Sequence, residues 1–137
     1  MSRQSGQVLI IIVATLLLGG GGLAAGVVLT GKPVSELKKE SLAMVQDRGR
    51  RENIEGVFKR WDKDIEALYS KRDKNRKAIV ELMQKRGATL SDFDRVYVES
   101  DAIEAQAFEA ALDMRFALRQ QLSPEEWRKL FAARQPS

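Results

Sequence analysis

Residues 54–86 read IEGVFKRWDKDIEALYSKRDKNRKAIVELMQKR, and the spacing of apolar side chains within them decides the fold. Ile54, Phe58, Trp61, Ile65, Leu68, Arg72, Asn75, Ile79 and Leu82 follow one another in steps of four and three. An α-helix turns once per 3.6 residues, so these steps lay one narrow seam along a single face. Such a seam belongs to a helix packed lengthwise on another helix. Arg72 and Asn75 interrupt it with polar groups. Gly87, just past Arg86, supplies a stop.

Downstream the pattern recurs. A second long helix is expected from Ser91, with Phe93, Val96, Ser100, Ile103, Ala107, Ala110, Met114 and Ala117 on its seam. The short loop between the helices makes them antiparallel neighbours. The expected hairpin core is Phe58, Trp61, Ile65, Leu68, Ile103, Met114 and Phe116. Folding the chain about the loop sets Trp61 against Phe116, Ile65 against Leu112, Arg76 against Asp101, and Arg72 near Glu104. As surface ion pairs these are worth about 0–1 kcal/mol each. Arg72 and Asn75 occupy seam positions, where polar residues specify register.

The helix is interrupted at Leu122-Ser123-Pro124-Glu125-Glu126-Trp127. Ser123 suits the N-cap, Pro124 the first helical position, and Glu126 completes a capping box. Leu122 and Trp127 are placed as a hydrophobic staple across it. A short helix should follow, with Leu130 and Phe131 inward, and end near Arg134. It would fold back as a hook that lays Trp127 and Phe131 near Trp61 and Phe116.

Upstream, Val8 to Leu29 carries no charge, and Thr15 is its one polar side chain. Its length suffices to cross a hydrocarbon core of about 30 Å as a helix. Gly20, Gly22 and Gly26, with Ala24 and Ala25, form small-xxx-small pairs that let a second membrane helix approach closely. The same run serves equally as an unspecialised anchor rich in small residues. A cleaved signal peptide is the rival reading, since Ala24-Ala25-Gly26 offers small residues at a cut site. The apolar stretch continues through Val27, Val28 and Leu29, which favours a retained anchor. Pro33 closes it, Ser35 can cap a short helix through Val45, and Gly49 is the expected bend. The organisation is then an anchor over 1–32, a linker with a short helix over 33–51, and a helical hairpin domain over 52–137. The fold class is all-α.

Composition narrows the chemistry. The chain of 137 residues has neither histidine nor cysteine. The usual general base, the commonest transition-metal ligand and thiol chemistry are therefore missing. Ser91 and Ser123 are accounted for as caps, and no base accompanies either as a nucleophile. Asp92/Asp94 and Glu125/Glu126 lie in first helical turns, where acids offset the helix dipole. No catalytic residue, metal site or cofactor is expected, and the chain does not read as an enzyme. From Lys32 to Arg86 there are 16 basic and 10 acidic residues, and from Gly87 to Ser137 there are 6 and 9. Complementary halves of one chain imply mutual packing, not a free basic stripe for nucleic acid.

Leu122-Ser123-Pro124-Glu125-Glu126 resembles the LTxxQ motif of the Spy/CpxP-like stress chaperones and of the periplasmic heavy-metal-resistance sensor family. Leu90-Ser91-Asp92-Phe93-Asp94 is similar to a looser second copy, with Leu90, Ser91 and Asp94 in the corresponding places. A single anchor, an Arg-rich first helix, an acidic second helix and a hooked last helix, over roughly Arg48 to Arg134, extend the resemblance. Ser123 and Glu126 replace the motif's Thr and Gln and preserve capping, whereas the sensors' metal-binding histidines are absent. The resemblance implies a bacterial inner-membrane protein with a single pass, a periplasmic soluble part and homodimerisation. It further implies a sensor or chaperone-like accessory that binds unfolded clients or a membrane regulator. Charge alone points the other way, because Lys32, Lys38 and Lys39 outnumber Arg3 and the positive-inside rule would then place the soluble part in the cytoplasm. The alternative function is a structural accessory subunit of an inner-membrane complex. A cytoplasmic coiled-coil scaffold is the third.

Overall fold

The computed structural model describes residues 31–132. The expected anchor, with Gly20, Gly22 and Gly26, lies outside the described residues. Among those described, no helix is long and apolar enough to cross a membrane. They form four α-helices and no strand: α1 (Val34–Met44), α2 (Arg48–Gln84), α3 (Leu90–Gln121) and α4 (Pro124–Ala132). α2 and α3 make a long hairpin-like arrangement. The chain divides into two compact units, one holding Ile65–Phe108 and the other holding the described residues up to Asp64 and from Glu109 onward.

In the unit of Ile65–Phe108, Lys71 Nζ donates to Gln106 Oε1 at 3.2 Å and Asn75 Nδ2 donates to Ser100 Oγ at 2.7 Å. Partner numbers fall as helix numbers rise, so the two helices run antiparallel at the expected register. Leu68, Ile103 and Ala107 are buried together, with Ile65 against them. One turn further on, the apolar seam gives way to a polar layer of Arg72, Asn75 and Ser100, all buried. Asn75 Nδ2 also donates to the Val96 carbonyl at 3.2 Å, and the Ser100 hydroxyl donates to that same carbonyl at 3.0 Å. A slip by one turn would leave these donors unmatched in the interior, which fixes the register. The expected Arg72–Glu104 and Arg76–Asp101 pairs do not form ion pairs among the described residues. Arg72 instead lies over the Tyr69 ring, 4.6 Å from its centroid.

In the other unit, Ile54, Phe58 and Trp61 of α2 and Ala110, Ala111, Met114 and Leu118 of α3 are buried. Leu37 of α1 and Leu130 of α4 are buried as well. Phe116 is a correction: it is 48% exposed and does not belong to the core. Two residues along a helix rotate the side chain by about 200°, so Phe116 points away from the face that Met114 buries. Trp61 instead borders a small cavity of about 30 Å³ with Ala110, Asp113, Met114 and Ala117.

Four boundaries differ from the sequence expectation, each for a local reason. α1 begins after Pro33, whose carbonyl accepts from Leu37 N at 3.0 Å, and Ser35 lies inside the helix without capping it. α2 begins at Arg48 because the Asp47 carboxylate accepts from Arg50 N at 2.9 Å. Gly49 is therefore helical, and the bend falls just before Asp47. α2 stops at Gln84, and Ala88 N donates to the Lys85 carbonyl at 3.1 Å to close the turn. Gly87 does not enter the left-handed region. α3 begins at Leu90, capped by Thr89 and not by Ser91. Thr89 N donates to Asp92 Oδ2 at 2.9 Å, and Asp92 N donates to Thr89 Oγ1 at 3.4 Å. The Thr89–Asp92 box satisfies two orphan donors one half-turn earlier than Ser91–Asp94 could.

Candidate functional site

The hooked helix α4 is built from its own sequence. Ser123 N donates to Glu126 Oε1 at 2.8 Å and Glu126 N donates to Ser123 Oγ at 3.1 Å, a reciprocal capping box. Pro124 opens the helix, where it has no donor to lose. Leu122 is buried just before the cap, and Trp127 is half-buried within the first turn.

Arg50 joins this box to the rest of its unit, and sequence reasoning missed it. Its Nε and Nη2 donate to the carbonyl of Gln121, the last residue of α3, at 3.1 and 2.7 Å, and Nη2 also reaches Glu126 Oε1. Arg51 acts in parallel on α1, donating from Nη1 to the carbonyls of Leu42 and Val45, the latter at 2.9 Å. The last carbonyls of a helix lack intrahelical partners and carry its negative end, so a guanidinium there supplies both donors and charge. A signal was present. Arg48, Arg50 and Arg51 crowd the positive end of α2, where cations are unfavourable unless they act elsewhere.

The backbone N–H of Ser123, and then the Arg50 side chain, hold the Glu126 carboxyl below its ordinary value of 4.5. A depressed carboxylate contributes stability that is present above the unfolded value and lost as pH falls through the folded one. Glu126→Gln should lower stability by about 1 kcal/mol at neutral pH. It should also flatten the loss of stability below pH 4.5, which urea titrations at neutral and acid pH will measure.

Beside the box lies a run of stacked rings and cations. The Arg115 guanidinium sits 5.1 Å from the Phe116 ring and 5.4 Å from the Trp127 ring. Trp127 meets Phe131 at 4.9 Å, and the Lys32 ammonium lies 6.0 Å from the Phe131 ring. Lys32 is buried and also bonds Glu40. Trp127 thus shares the Arg115 guanidinium with Phe116, one of the two rings near which it was expected.

The second motif region, in the other unit, is more open. Leu90 is 71% exposed, Ser91 is exposed, and Asp94 is half-buried beside Tyr97. Burial, and then the Asp94 and Asp101 carboxylates, push the Tyr97 phenol up, so it stays neutral. Val98, Met83 and Phe108 are exposed in the same unit, at 70, 69 and 45%, as are Tyr69 and Val80. Among the described residues, no three Asp, Glu, His or Cys side chains gather as metal ligands would. A shallow cleft of about 310 Å³ near the turn is lined by Glu81, Lys85, Asp92 and Arg95, whose charges balance. The chain matches no family model, no curated protein and no solved structure.

Proposed function

We propose that the chain is a membrane-anchored helical-hairpin protein of the heavy-metal-resistance and Spy-like type, acting as a periplasmic sensor or chaperone-like accessory that binds other proteins. The observation that carries this reading is that six large apolar side chains of the unit of Ile65–Phe108, namely Tyr69, Val80, Met83, Leu90, Val98 and Phe108, are exposed. Side chains of this kind are what a protein partner buries as anchors. The capped hook at Leu122–Trp127 supports the kinship, because Ser123 and Glu126 make the reciprocal bonds that the motif encodes.

The full chain in lipid nanodiscs should suppress aggregation of a chemically denatured client near equimolar ratio, or bind a membrane regulator. Replacing Met83, Val98 and Phe108 with serine together should weaken the effect by about tenfold, as expected when several buried anchors are lost from an interface. No effect in either assay contradicts the reading. Alkaline phosphatase fused to the C-terminus should be active if that end is periplasmic.

A further inference from the structure

We infer that the ring-and-cation run of Phe116, Arg115, Trp127 and Phe131 is a contact surface for the headgroups of anionic phospholipids. The inference rests on the membrane-anchored reading above. Chain length argues for the bilayer as the occupant. The apolar run ends at Leu29, three residues before Lys32. Three residues span at most about 11 Å. The Lys32 ammonium lies over the Phe131 ring and bonds Glu40, which ties the point where the chain leaves the apolar run to α4. Whatever surface the anchor enters is therefore close to this helix.

Composition and charge argue for lipid in particular. Trp and Phe beside Arg is the mixture that settles at a membrane interface, with rings among the upper acyl chains and guanidinium at phosphate level. Phe116 is 48% exposed although it is aromatic and lies mid-helix. Arg115 stacks on Phe116 and Trp127, Arg119 follows Phe116 by three residues on α3, and Arg128 follows Trp127 on α4, and none of the three takes part in an ion pair among the described residues. Both acids of α4 are already engaged, Glu126 with Arg50 and Glu125 with Lys129, and Glu40 of α1 bonds Lys32. One guanidinium at the rings and two more on the same two helices are thus without an ion pair, and lipid phosphates are the anions that the anchor brings within reach.

The test uses the full chain reconstituted into vesicles of one part phosphatidylglycerol to two parts phosphatidylcholine, the latter brominated just below the headgroup. Trp61 is buried, so subtracting the emission of Trp127→Phe isolates Trp127. Bromolipid should lower the Trp127 signal by about twofold. The quenching should fall by at least about threefold in pure phosphatidylcholine, in molar salt, or in Arg115→Glu/Arg119→Glu/Arg128→Glu. The salt arm needs no variant, and circular dichroism checks that the triple variant keeps its helices. Vesicles that float with the chain while Trp127 stays unquenched overturn this inference and leave the anchor standing. Equal quenching in zwitterionic vesicles overturns the role assigned to charge. A chain that does not float with vesicles overturns the anchored reading and this inference with it.

Discussion

Phe58→Ala is expected to lower the unfolding free energy by about 3–5 kcal/mol, whereas Phe116→Ala costs less than about 1 kcal/mol. The contrast follows from azimuth, not residue type. Phe58 is 1% exposed and packed at a seam position of α2, in the same buried set as Ile54 and Trp61. Truncating it removes most of a ring's transfer free energy and leaves a void that two rigid helices close poorly. Phe116 is half in solvent, and its loss surrenders little more than the stack on Arg115. Urea unfolding of both variants, followed by circular dichroism, measures the difference. Equal costs would mean that α3 is rotated relative to the face described.

Replacing Arg72 by leucine is expected to raise stability by about 1–3 kcal/mol. Arg72 is 8% exposed, and its Nε and Nη1 are buried without a hydrogen-bond partner. Two donors of a cation withdrawn from water cost more than one cation–π contact returns, since that contact is worth about 0.5–2 kcal/mol. Leucine fits the same seam and carries no such cost. Register does not depend on Arg72, because Asn75 and Ser100 hold it by their own hydrogen bond. Asn75→Ala should accordingly destabilise, by about 1–3 kcal/mol, because it strands the polar groups it bonds. If Arg72→Leu instead loses stability, the guanidinium has a partner in solution.

These two results mark how far the sequence could be read. The hairpin was legible because apolar residues from Ile54 to Leu82 repeat at helical spacing, and Asn75 stood out as a polar member of that seam. Pairing by position gave the right level along the helices, since Lys71 meets Gln106 in the same register as the pairs expected. It gave the wrong face for Phe116, because level says nothing about rotation and Met114 already held the inward position. Ser123 was legible as a cap because its box partner and the following proline are local. Thr89 was not, since Ser91-x-x-Asp94 offers the same pattern two residues later. Arg50 and Arg51 were legible only in part. Their crowding at the positive end of α2 marks them as acting elsewhere, but the carbonyls of α3 and α1 on which they act are not named by any local pattern. The ring-and-cation run shares that property, because Lys32, Arg115 and Trp127 come from three separate segments.

The central claim is that α2 and α3 pair antiparallel through the Asn75–Ser100 layer. The chain has no native cysteine, so Asn75→Cys/Ser100→Cys provides a clean pair whose parent side chains lie 2.7 Å apart. Mild oxidation should close a disulfide within one chain, seen as a faster-migrating species that reductant reverses, while Asn75→Cys/Gln106→Cys should stay open. A disulfide that forms only between two chains, or only in the second pair, would contradict the account.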